Sequence, residues 1–227
     1  MTDRSNPPIA PLAEIDPPLD CPLCPRLKQF IDHHRVENPT FFNAPVPSWH
    51  GPAGPGASRL LVIGLAPGLK GANQTGRPFT GDWAGDLLYA TLKKFKFASG
   101  EFEAHPADSL QLNNCSITNA VRCVPPQNKP VGAEINTCRQ FLTRTIDAMP
   151  NLAVIVTLGK ISHDSTARAF GERVAAVPFG HGAEHVMAGR KVISSYHCSR
   201  YNTNTGRLTE EMFESVFARA RSLVDAA

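Results

Sequence analysis

The stretch "RLLVIGLAPG", Arg59 to Gly68, runs an unbroken apolar segment straight into a turn bearing glycine and proline. Its apolar residues are consecutive rather than alternating, as expected of a strand covered on both faces, the condition of a parallel sheet. Three more segments have the same form: "NNCSITNAV" (Asn113 to Val121), "LAVIVTLG" (Leu152 to Gly159) and "RKVISSYH" (Arg190 to His197). Helix-like segments lie between them. "GDWAGDLLYATLKKF" sets Trp83, Leu87, Leu88 and Leu92 at near-helical spacing, and "GAEINTCRQFLTRTIDAM" does so with Ile135, Cys138, Phe141, Leu142 and Ile146. A final amphipathic segment opens on Thr209, a candidate N-cap, with Glu210 and Glu211 in its first turn. The order βαβαβαβα predicts a single α/β domain over residues 21–227, a central four-stranded parallel sheet flanked by helices. In such a sheet the ligand lies beyond the carboxyl ends of the strands.

The bulk properties agree with one domain: 227 residues, 42% of them hydrophobic, can bury one core. Residues 1–20 hold five prolines and scattered charges, and are expected to form a flexible segment that is neither a secretory leader nor a membrane span. A cytoplasmic monomer, away from membranes, is the expectation. In a reducing compartment the six cysteines are candidates for metal ligation, catalysis or burial rather than disulfides. A net charge of +3 is too mild to establish a nucleic-acid partner. "NAPVPSWHGPAGPGAS" (Asn43 to Ser58) reads as a Pro/Gly-rich connection and "FASGEFEAHPADSL" as a second loop.

Polar residues cluster at the strand ends. Cys21 and Cys24 in "CPLC", with Cys123 and Cys138, give C-x2-C, a long gap, then C-x14-C, a set able to close a zinc or iron-sulfur site. Spacing does not choose between these, and coincidental pairing with a buried Cys138 is equally open. Cys115, inside a strand, reads as buried. "GLAPG" is neither a dinucleotide fingerprint nor a phosphate loop, and alone it is a turn. Asp82 in "FTGD" suits a helix cap, and Phe79 suits core packing. His197 ends a strand and enters a polar loop, whereas His163, His181 and His185 read as surface or structural.

Taken together these strings resemble the uracil-DNA glycosylase superfamily, most closely family 5, the type B iron-sulfur enzymes. The resemblance spans Cys21 to Thr209 and rests on "GLAPG...GANQTGRPFTGD", "ITNAVRCVPPQNKP", "NTNTGRLT" and four cysteines in the family's order. It implies a 4Fe-4S cluster on Cys21, Cys24, Cys123 and Cys138. It implies a monofunctional enzyme of base excision repair that extrudes uracil from DNA and hydrolyses its N-glycosidic bond. Hypoxanthine and xanthine are further candidate substrates.

The resemblance also assigns roles. Phe79 stacks on the base, the Asn119 amide reads its Watson–Crick edge, and the backbone of Gly64, Leu65, Ala66, Pro67 and Gly68 completes the pocket. His197 stabilises the departing base. Family 4 relatives carry a polar or acidic residue at the position of Leu65, so Asp82 becomes the candidate for orienting water, with helix capping as the alternative. Ser199, Arg200, Tyr201 and Arg207 are the candidate DNA contacts. Cys198 stands where a proline is usual in the family, so φ is not fixed there, and either a looser loop geometry or a change in the lesions accepted is open. The competing function is a tight uracil-DNA binding protein with little turnover. One branch of the superfamily captures DNA covalently through a histidine between the third and fourth cluster cysteines; "VPPQNKPVGAEINT" contains none.

Overall fold

The computed structural model describes residues 15–227. In chain order, α1 (Pro25–Glu37) precedes β1 (Trp49–His50) and β2 (Leu60–Gly64), then α2 (Ala72–Thr75) and α3 (Trp83–Lys94). A small hairpin of β3 (Ala98–Ser99) and β4 (Gln111–Leu112) leads to β5 (Cys115–Asn119), α4 (Gly132–Asp147), β6 (Val154–Leu158) and α5 (Lys160–Ala169). The chain closes with β7 (Glu184–Met187), β8 (Arg190–Ser195), α6 (Arg200–Asn204) and α7 (Glu210–Asp225).

The four expected strands form the parallel centre of the sheet in the order β5-β2-β6-β8. The sheet itself is six-stranded rather than four-stranded, because β1 and β7 add antiparallel edges that pattern reading left as connections. Only two residues of the Pro/Gly-rich Asn43–Ser58 segment pair as β1, too few to show a period. For β7, Ala188 and Gly189 supply the two positive φ angles of a tight hairpin.

Every residue of β2, β5 and β6 is buried, so successive side chains feed opposite cores. Leu60 and Val62 join Leu88 and Leu92 of α3 and Phe213 and Phe217 of α7 on one face. Leu61 and Ile63 join Leu142 and Ile146 of α4 and Ala167 of α5 on the other. Each fully buried side chain of this kind contributes roughly 1.5–3 kcal/mol of transfer free energy. The Thr209 hydroxyl caps α7 by accepting from the Met212 amide at 3.2 Å.

Of the N-terminal segment expected to be flexible, residues 1–14 lie outside the described residues. Its remainder is tied to the domain: Ile15 is buried, and one Asp16 oxygen accepts from the Ser48 amide and hydroxyl and from Arg122.

The strand order reverses beside β2, and the carboxyl ends of β2, β5 and β8 open onto one crevice.

Candidate active site

Asn119 is the last residue of β5, paired in register with Gly64 at the end of β2. The two are matched sterically. A Cβ on Gly64 would stand 2.3 Å from Asn119 Oδ1 and 2.6 Å from Phe79 Cζ, so the bare glycine is what lets both side chains lie over the strand end. Phe79 comes from the segment between α2 and α3 and holds φ at +51°, a backbone region that side chains other than glycine rarely adopt. Its neighbours hold it there. Tyr89 donates to the Pro78 carbonyl at 2.5 Å, and Arg77 Nε donates to Thr80 Oγ1 at 2.8 Å. The Arg77 guanidinium lies over the Trp49 ring and grips both oxygens of buried Asp108 at 2.7 Å. Asp108, from the loop after β3, is thereby joined to the site; burial opposes its charge, but Arg77 and the Glu103 and Leu110 amides hold its pKa below the usual value.

His197 follows β8, its ring near-parallel to Phe79 with centroids 6.0 Å apart. Burial pushes its pKa down to about 4, so the imidazole is neutral at pH 7. Asp82 stands at the N-cap of α3, yet its carboxylate makes no capping hydrogen bond and Oδ1 is buried without a partner. Its pKa is raised chiefly by burial, against the pull of the nearby Gly85 and Ala84 amides. A Cβ on Gly71 would come within 2.5 Å of Asp82 Oδ2, so that glycine makes room for the carboxylate.

These groups share one pocket, lined by Ala66, Pro67, Gly68, Phe79, Asp82, Asn119 and His197. A wider cleft bordered by Leu65, Trp83, Asn128, Ser199 and Arg200 continues from it across Gly68, Asp82 and His197. Among the described residues, neither the Asn119 amide nor the His197 ring hydrogen-bonds to protein, so both are available to a ligand. Partly buried polar groups converging on one cavity without partners mark a binding site.

The chain matches the uracil DNA glycosylase superfamily model over residues 52–221. It belongs to that superfamily. Proteins named type-5 uracil-DNA glycosylase are similar over 89% of this chain: one from Thermus thermophilus is 41% identical with 93% of its length covered, one from Mycobacterium tuberculosis 36% with 78%, and one from Pyrobaculum aerophilum 35% with 88%.

Two of the four residues expected on DNA by resemblance to the superfamily, Ser199 and Arg200, line the cleft. Tyr201 and Arg207 line neither cavity: Tyr201 is 72% exposed, and Arg207 lies over the Tyr196 ring. The polar loop after His197 contains α6, capped by Ser199. Cys198 is buried within that loop. Its thiol donates to the Ala84 carbonyl of α3 at 3.5 Å, and Asn202 donates to the His197 carbonyl at 2.8 Å. Trp83, which shares the helical spacing of Leu88 and Leu92, is 50% exposed and lines the cleft, although Ala84 and Gly85 beside it are buried. Sequence reading missed the Arg77–Asp108 pair, whose members are 31 residues apart in chain. His163 is a satisfied core histidine, between Ser194 Oγ and the Val177 carbonyl.

Cys21, Cys24, Cys123 and Cys138 border one small cavity with Leu27, Val121 and Phe141, between α1, the segment after β5, and α4. Burial first, then neighbouring thiols, raises the pKa of Cys24, to about 11, and of Cys123. Cys138 is raised by burial, while Arg122 opposes through its charge and through an amide that donates to Sγ at 3.3 Å. Among the described residues no group of three or more His, Cys, Asp or Glu is placed to hold a metal ion, so the structure gathers four thiols without displaying a closed ligand set.

Proposed function

We propose that this protein is a monofunctional DNA glycosylase that extrudes uracil from DNA and hydrolyses its N-glycosidic bond. The observation that carries this reading is the pocket at the strand ends, where an aromatic ring, a carboxamide, a neutral imidazole and an unpartnered carboxylate oxygen face one space. Uracil presents a carbonyl beside an N–H on its Watson–Crick edge. The Asn119 amide matches both, donating to O4 and accepting from N3–H. Hypoxanthine and xanthine repeat that carbonyl and N–H pattern, so the same amide accepts them where space allows.

A base must leave the stack for its glycosidic bond to be reached, and Phe79 offers the flat face on which it rests. As the bond between N1 and C1′ breaks, its electron pair leaves with the base and the sugar becomes cationic. His197 donates an N–H to O2 of the departing anion, a preorganised contact of a kind that contributes about 3 kcal/mol. Asp82, buried and uncapped, orients the attacking water, takes its proton as oxygen joins C1′, and stabilises the sugar cation.

The four cysteines are proposed to hold a 4Fe-4S cluster, and their donor set fits it: four sulfurs around one cavity, with the Arg122 amide donating to one. Cys21, Cys24, Cys123 and Cys138 would hold that group as thiolates, and it would tie α1, the segment after Asn119 and α4 together. It takes no part in the hydrolysis.

The test is a duplex oligonucleotide with one uracil, incubated with protein and then treated with alkali. Strand breaks beyond one equivalent of protein are expected, with Asn119→Ala and His197→Ala much slower. Stoichiometric heat-stable adducts without turnover would overturn the reading in favour of a capture protein.

A further inference from the structure

The cleft mouth carries a feature that base extrusion does not use. Trp83 is half exposed although an indole is among the costliest side chains to leave in water. It is nevertheless fixed in place. Its Nε1–H donates to Thr203 Oγ1 at 3.2 Å, and the Arg200 guanidinium lies 5.5 Å from its ring centroid. These contacts join the first residue of α3, next to Asp82, to α6 behind His197. Ring and cation therefore form a composite surface on the cleft beside the pocket, with Ser199 and Asn128.

We propose that Trp83 and Arg200 form a second DNA subsite, where the indole stacks on the nucleobase adjoining the extruded one and the guanidinium meets the intervening phosphate. This inference rests on the glycosylase reading. An oriented aromatic face beside a cation is the chemistry that holds a single unstacked nucleotide, because every base has a π-face and every linkage a negative charge. A flanking base left without its neighbour by extrusion is such a nucleotide. The pocket, by contrast, offers amide and imidazole contacts to one base alone.

The chain contains two tryptophans, Trp49 being partly buried with the Arg77 guanidinium over its ring, and the difference between parent and Trp83→Phe isolates the emission of Trp83. A duplex carrying a tetrahydrofuran abasic-site analogue is titrated into parent, Trp83→Phe, Trp83→Ala and Arg200→Ala proteins. Saturable quenching is expected in the parent and is expected to vanish in Trp83→Phe, which keeps a stacking ring and most of the affinity. Trp83→Ala is expected to bind about tenfold more weakly. Arg200→Ala is expected to lower the slope of log affinity against log salt by about one. Unquenched parent emission at saturation, or parental affinity in a folded Trp83→Ala protein, overturns the subsite. If the parent still releases uracil, the subsite alone falls; if it neither releases uracil nor binds the duplex, the glycosylase reading falls with it.

Discussion

At the scale of single residues, the pocket depends on what is left out as much as on what is present. A methyl on Gly64 would overlap both the Asn119 amide and the Phe79 ring, so Gly64→Ala is expected to fold but to lose roughly a hundredfold in kcat/KM. Steady-state kinetics beside a thermal melt checks this, and an active variant would show that the two side chains can shift freely. The pH profile separates the two titratable groups. His197 acts neutral with its pKa near 4, so no inflection is expected at the ordinary histidine value of about 6.5. By linkage, its contribution to stability is complete above the unfolded value and is lost as pH falls toward 4. Asp82 acts ionised, and burial raises its pKa above 3.8, so activity is expected to fall on acidification at a pH above that value. Asp82→Asn is expected to abolish this acid limb along with most activity. An inflection near 6.5 that disappears in His197→Asn would instead assign a charged imidazole.

At the scale of elements, the loop between β3 and β4 is structural support for the site. Asp108→Ala leaves the Arg77 guanidinium buried and unpaired, which typically costs 3–5 kcal/mol. Urea unfolding is expected to show a loss of that order, with residual activity weakened through Phe79, whose left-handed backbone the pair braces. A loss below about 1 kcal/mol would show that the aromatic stack around Arg77 suffices. The central strands and the helices α3, α4 and α7 were legible in sequence because their apolar runs and spacings are local properties, whereas α1 buries only Leu27 and Ile31 and α5 buries mostly Ser, His and Thr, so neither shows an apolar period. The edge strands β1 and β7 were not legible, since a two- or four-residue strand has too short a period to register and gains its pairing only from a neighbour. Trp83 shares the spacing of Leu88 and Leu92 yet is half exposed, because spacing gives a face and the neighbours that arrive in three dimensions decide how much of it is covered.

At the scale of the whole molecule, the cysteine cavity joins segments about a hundred residues apart in chain, from Cys21 to Cys123. Purified protein is expected to carry iron and a visible charge-transfer band. Cys138→Ala is expected to lose both and to melt at lower temperature, through release of α1 from Val121 and Phe141. Full iron content in that variant would remove Cys138 from the ligand set. The sequence by itself determined the four parallel strands, the helices α3, α4 and α7 and the residue types gathered at the strand ends, because burial period and turn chemistry are written locally. Only the tertiary structure decided that Asp82 leaves its helix uncapped, that Asp108 reaches Arg77, that Cys198 packs on α3 and that Trp83 faces solvent. Each of those depends on which distant segment arrives alongside, and packing in three dimensions sets that.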